Sequence, residues 1–244
     1  MKTYKLTLSY DGGRYLGWHR IASNDNTIQF ILENSIGRLA GHRVLVEGAG
    51  ITQPGAHARA QIASVRLEKN YDVQKLKTFL NRALPDDIRI QDIEIMPDGF
   101  QAKKDAIGFK YEYYVDNRER ADVFYRRFCY HYPEKLDLKA MQMAADAMVG
   151  TRDFSSFTTQ EECPNPVCTL SAVQIMCNQD KIRFTYFGSE FLDNMVEILT
   201  GTLLEIGAGK KKLSMVPVII AAQDRNAAGF TAPSKGVFLS EVIY

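Results

Sequence analysis

A glycine-rich stretch, Gly48-Ala49-Gly50-Ile51-Thr52-Gln53-Pro54-Gly55-Ala56-His57-Ala58, sets polar side chains among small residues. Gln53 is a primary amide. It carries no negative charge at any working pH and is a very poor nucleophile and base, so it reads either as a polar loop residue facing solvent or as a new binding group. His57 reads as a loop anchor through a hydrogen bond. Three carboxylates could act as acid, base or nucleophile. Asp11 sits in a turn and reads as structural. Asp153 is expected to cap the turn Asp153-Phe154-Ser155-Ser156-Phe157, and Asp105 is the third. The run Lys210-Lys211-Lys212 reads as a solvated loop that could touch a phosphate. Cys129, Cys163, Cys168 and Cys177 follow no zinc spacing, so no metal is expected and the thiols read as reduced and packed. Trp18, the single tryptophan, reads as a packing anchor.

The elements that must hold these groups follow from periodicity. Lys5 to Tyr10 alternates and reads as a strand. Thr27 to Ala40 reads as a helix capped by Asn26 or Thr27, with Ile28, Ile31, Leu32, Ile36 and Leu39 on its apolar face. Arg43 to Glu47 and His57 to Leu67 read as strands flanking the glycine-rich stretch. Asp72 is expected to cap a helix that Pro85 ends, and Ile88 to Met96 alternates again. The second half repeats this β-α-β-β-α-β order. Phe109 to Val115 reads as a strand and Leu138 to Val149 as a helix. Val167 to Cys177 and Lys181 to Phe187 read as a hairpin turning at Asn178-Gln179-Asp180. Phe191 to Ile206 reads as a helix stopped by Gly207, Ser214 to Ala222 as a short helix, and Val237 to Ile243 as the last strand. The expected fold is α+β, two ferredoxin-like halves (1–100 and 101–244) forming one extended, mainly antiparallel sheet. On the late helix Glu190, Asp193 and Glu197 would share one face, either as a solvated acidic surface or as one that repels phosphate.

The composition is that of an ordinary globular protein, with 45% hydrophobic and 24% charged residues in a chain of 244. No uninterrupted apolar run approaches membrane-spanning length, and the first residues enter a strand pattern directly, so a cytoplasmic protein is expected. The net charge of +1 argues against tight nucleic-acid binding without excluding a local basic patch.

Several segments together resemble the tRNA pseudouridine synthase A family. Gly48 to Ala58 resembles that family's active-site loop, Gly-Ala-Gly-Arg-Thr-Asp-Ala-Gly-Val-His-Ala, in which the Asp is catalytic. Tyr10-Asp11-Gly12 with Gly17-Trp18-His19, Asn26-Thr27-Ile28-Gln29 with Leu32-Glu33, and Asn81-Arg82-Ala83-Leu84-Pro85 resemble further family motifs. So do Gly150 to Phe157, Phe191 to Gly207, Asp224-Arg225, Thr231-Ala232-Pro233 and Val237-Phe238-Leu239. The likeness runs from about Lys5 to Tyr244, in the family's order.

The resemblance implies a pseudouridine synthase fold with helices on one face of the sheet and a central cleft. It implies a reaction without cofactor or metal. The N1–C1′ bond of a uridine is broken, the base turns, and it rejoins through C5, with a carboxylate acting on the sugar. It also implies that the chemistry has been lost here. Gln53 stands at the Asp position and Ile51 at the loop's Arg. Phe109, Cys168 and Glu197 stand at further basic positions. Thr52, Tyr111 (the pocket Tyr) and Lys103 remain as substrate-binding residues by resemblance, and Asp105 replaces a small residue near the cleft.

The expected function is therefore that of a catalytically inactive relative, kept for weak tRNA binding or for pairing. It would form a homodimer or a heterodimer with an active paralogue, through the aromatic segment Arg118 to Tyr132. The alternative is an active isomerase on uridines of the tRNA anticodon arm that uses a displaced carboxylate such as Asp105.

Overall fold

Alternation from Thr3 to Tyr10 marks strand β1 (Lys2–Tyr10), whose Tyr4, Leu6 and Leu8 are fully buried. In the computed structural model, which describes Met1–Tyr244, the fold is α+β, with a large, mainly antiparallel sheet and five α-helices. The chain divides into two compact units, residues 1–107 with 239–244 and residues 108–238.

The first unit holds β1, α1 (Ile28–Ala40), β2 (Val46–Gly48), β3 (His57–Leu67), α2 (Val73–Ala83), β4 (Ile88–Met96) and the part of β10 (Val237–Ile243) from Leu239 on. Its strands run in the order β4-β1-β3-β10, with β2 on β3. β1 lies antiparallel to both β3 and β4. Thr27 caps α1 by accepting from the Phe30 amide at 3.4 Å, and Asp72 caps α2 by accepting from Lys75 at 2.9 Å. Ile28, Leu32 and Ile36 of α1, and Leu76 and Leu80 of α2, are the buried apolar stripes. The strand expected over Arg43 to Glu47 is shorter, because only Val46 to Gly48 pair with β3.

The second unit holds β5 (Gly108–Asp116), β6 (Tyr130–His131), α3 (Leu138–Met148), β7 (Gly150–Asp153), β8 (Val167–Asn178), β9 (Lys181–Gly188), α4 (Met195–Gly207) and α5 (Val216–Ala222). Its strands run β5-β9-β8-β7, with β6 parallel to β5. The β8–β9 hairpin turns at Gln179 and Asp180, both in the left-handed region at φ 49° and 62°, as a two-residue type I′ turn requires.

Two expectations about α4 need correction. The helix starts at Met195 rather than Phe191, because Asn194 takes the left-handed conformation, φ 58°. Glu190 and Asp193 therefore precede the helix and share no helical face with Glu197. The helix also runs to Gly207 itself. That glycine is needed for packing, since a Cβ there would meet Met141 Sδ at 2.4 Å, while Gly209 supplies the positive φ of the helix end.

Candidate functional site

The glycine-rich loop of the first unit is a rigid frame. Gln61, fully buried on β3, clamps Gly50 from both sides: its Oε1 accepts from the Gly50 amide at 3.0 Å and its Nε2 donates to the Gly50 carbonyl at 2.7 Å. Thr52 is 3% exposed, and its hydroxyl lies 2.7 Å from the Tyr10 hydroxyl. Burial pushes the Tyr10 phenol far above its ordinary range, so it remains protonated. The Thr52 carbonyl accepts from the Trp18 amide at 3.0 Å. Trp18 also stacks near Tyr10, with ring centroids 6.4 Å apart. Its role as a packing anchor fits its 1% exposure.

Gln53 to Ala56 form a β-turn closed by the Ala56 amide donating to the Gln53 carbonyl at 3.0 Å. Pro54 at the second position and Gly55 at the third, with φ 85°, give type II geometry. Gln53 is thus the first residue of a closed turn and half-buried. The far end of the loop is pinned by His57, whose Nδ1 accepts from the Gly12 amide at 3.1 Å and lies 3.1 Å from Asp11 Oδ1. Asp11 also accepts from the Gly13 amide at 2.9 Å, which fits a structural role in its turn. The approach is close enough that a Cβ on Gly12 would lie 1.8 Å from the Ala56 carbonyl oxygen. Tyr15 continues the support. Its hydroxyl donates to Asp87 at 2.5 Å, and its carbonyl accepts from the Gly55 amide.

Lys103 and Asp105 lie exposed on the segment after β4, in the same unit. The segment is tied down at Ala102. Its amide donates to Ser64 Oγ at 3.0 Å and its carbonyl accepts from the Tyr244 hydroxyl at 2.8 Å. Asp105 Oδ2 accepts from the Gln101 amide at 2.9 Å, so this carboxylate caps its own turn.

The remaining positions belong to the second unit. Tyr111, 4% exposed on β5, packs its ring against Phe191 with centroids 4.8 Å apart. Phe109, two residues earlier on the same strand, is 8% exposed and pairs with Gly188. Cys168 on β8 is buried, and burial first, then the charge of Glu190, pushes its thiol up to about 12. Glu197 is 3% exposed in the first turn of α4. Its Oε1 accepts from Ser234 Oγ at 2.9 Å and from Asn194 Nδ2 at 3.5 Å, and burial raises its carboxyl above the ordinary range. Glu197 is therefore not a solvated surface acid, whereas Glu190 is exposed and Asp193 half-buried.

Sequence reading missed Gln61, Tyr15, Asp87 and the Ser64–Tyr244 tether. The signal was present for Gln61 alone, a polar amide inside the run Gln61-Ile62-Ala63 on a strand with few exposed positions. No group of three or more His, Cys, Asp or Glu is placed to hold a metal ion, and no helix is long and apolar enough to cross a membrane.

The profile of a family described as "tRNA pseudouridine synthase" matches residues 144–244. A protein named tRNA pseudouridine synthase A from Bacillus sp. (strain KSM-64) is 35% identical over 245 residues, covering all of both chains. The chain belongs to the tRNA pseudouridine synthase A family. Another member with the same name, from Acetivibrio thermocellus, is 36% identical over the full length of both chains. One named tRNA pseudouridine synthase A 2, from Bacillus cereus (strain ZK / E33L), is 33% identical over 99% of each. Against that family the framework of the loop, with Thr52, His57 and the Gly12 contact, stands beside a polar but uncharged side chain at Gln53.

Proposed function

We propose that this member of the family does not isomerise uridine and is kept for binding, either weakly to tRNA or to a second chain, its own copy or an active paralogue, in the cytoplasm. The observation that carries this reading is Gln53 at the position of the family's catalytic Asp. The family's reaction needs an ionised oxygen that attacks the sugar or takes a proton from it, and an amide does neither. Loss of such a group costs several powers of ten in rate. The loop around Gln53 also supports the reading. Its type II turn, the Gln61 clamp and the Tyr10–Thr52 contact hold the loop backbone, so Gln53 is presented from a fixed position. Asp105 is engaged in capping Gln101. Ile51, Phe109, Cys168 and Glu197, at the family's basic positions, leave phosphate without its usual partners, while Thr52, Tyr111 and Lys103 remain to touch a nucleotide.

The test is release of tritium from C5 of uridine in bulk tRNA by the purified chain. No release above the protein-free level is expected. Robust turnover that disappears in Asp105→Ala would overturn the reading and establish a relocated acid. Retention of tRNA binding that weakens as salt rises would point to the RNA role, and salt-insensitive association of two chains to the pairing role.

A further inference from the structure

We propose that the C-terminal end of α1 carries a phosphate-binding site, built by Arg38 and Arg43 with Arg20, that grips the backbone of an RNA strand. A cavity of about 540 Å³ opens there within the first unit, lined by Arg20, Phe30, Glu33, Asn34, Arg38, His42 and Arg43 among others. It shares none of these residues with the glycine-rich loop.

The charges in this cavity are unequal. Glu33 is the only acid in the lining, and it is already committed. Its Oε1 accepts from the Val46 amide and from Gln29 Nε2, both at 3.1 Å, and its Oε2 pairs with Arg20 at 3.0 Å. Arg20 is further ordered by lying over the Phe30 ring, 5.0 Å from its centroid. Arg38 and Arg43 are exposed and make no ion pair or hydrogen bond through their guanidinium groups. Two positive charges are therefore uncompensated at a concave surface, with Asn34 and the His42 ring as further polar groups. His42 Nδ1 is 3.0 Å from the Arg43 carbonyl, which leaves Nε2 for the cavity.

The carbonyls at the end of α1 oppose an anion, since a helix C-terminus carries about half a negative charge. Arg38 and Arg43 bring two full positive charges on long side chains, so the sum favours an anion. A guanidinium fork matches phosphate oxygens in pairs, and adjacent arginines suit successive phosphates of a strand better than a single compact anion. In a chain whose net charge is only +1, a local basic cavity is where backbone affinity would reside.

This inference rests on the RNA arm of the proposed function, and its test separates the two. Binding of labelled bulk tRNA is measured by anisotropy across a salt series for the intact chain, for Arg38→Ala/Arg43→Ala, and for Lys69→Ala/Lys75→Ala, which removes the same charge from exposed positions elsewhere in the unit. The arginine variant is expected to bind several-fold more weakly, with the slope of log affinity on log salt reduced by about 1.4–1.8, that is, two phosphate contacts. The lysine variant should keep the slope. Equal loss in both variants, or no loss in either, overturns the site. Uridine monophosphate forms the second arm. Binding of the mononucleotide but not of tRNA, lost in the arginine variant, would overturn the strand as ligand and assign the site to a free phosphate. Unfolding midpoints of both variants should match the intact chain. Turnover in the tritium assay would sink the proposed function and leave this site standing. Salt-insensitive tRNA binding, or binding of neither tRNA nor the mononucleotide, would sink the site and leave the loss of catalysis standing.

Discussion

The glycine-rich loop of the first unit and the positions Phe109, Cys168 and Glu197 of the second are built in different ways. In the loop a single side chain, Gln53, sits on a polar frame that remains closed through Gln61, Tyr10, Thr52, His57 and Gly12. Its neighbour Ile51 is half-buried, so both positions could accept a polar or charged group without unpacking a core. In the second unit Phe109, Cys168 and Glu197 are all under a tenth exposed and are part of the interior. By the resemblance, the first region is an intact frame without its reagent, and the second is one in which basic positions have been absorbed into packing. A frame of hydrogen bonds can be refitted by one substitution. A packed interior resists a returning charge, because desolvating an ion costs several kcal/mol.

The largest expected effect sharpens that contrast. Cys168→Arg should lower stability by about 3–5 kcal/mol, because a longer side chain overpacks a buried site and its guanidinium is desolvated there, which the nearby Glu190 charge offsets only in part. Urea unfolding would measure it, and a loss near zero would mean that the site opens readily to solvent. Gln61→Leu should cost about 2–3 kcal/mol, since it strips both partners from the buried Gly50 amide and carbonyl. An unchanged urea midpoint would show that the frame does not depend on the clamp.

Glu197 gives a pH-dependent version of the same contrast. Burial raises its carboxyl, so the folded state keeps the proton at pH values where the unfolded chain has released it. The stability from this group is full below the unfolded value of about 4.3 and is lost as pH rises through the raised folded value. Glu197→Gln should therefore be more stable than the intact chain at pH 8. The advantage should shrink as pH falls to 4, in unfolding curves taken at each pH. A constant difference across that range would mean that burial does not favour the protonated form of Glu197 in the fold. The smallest effect is expected in the loop. Gln53→Asp should change stability by no more than about 0.5 kcal/mol and should not restore turnover. Adding Ile51→Arg should recover more than the single change. Family-like rates from Gln53→Asp alone would mean that the second unit's positions matter far less than the comparison holds.

Much of this was legible in the residues, and where it was not the reason is physical. Ile88–Met96 and His57–Leu67 are strands over the expected ranges, the first because alternation is a local signal and the second because it follows directly on a glycine-rich turn. Asp72 and Thr27 were readable as caps because their side chains act within three residues of their own position. The start of α4 was hidden because Phe191, Leu192, Met195 and Val196 are spaced as a helix would space them. The break lies in the backbone of Asn194, a residue type that tolerates the left-handed region without announcing it. β7 was not read as a strand because Gly150-Thr151-Arg152-Asp153 is polar and short, and only its pairing with β8 makes it one. The burial of Glu197 was equally hidden, since its partners Ser234 and Asn194 are supplied by the folded chain.

The proposal that the loop has lost its chemistry is tested most directly by single-turnover tritium release, with the purified chain in molar excess over C5-labelled tRNA and sampled over hours. Excess protein makes a rate reduced by several powers of ten visible. The account predicts release indistinguishable from the protein-free control, both for the intact chain and for Asp105→Ala. Stoichiometric release by the intact chain would contradict it, whichever carboxylate proved responsible.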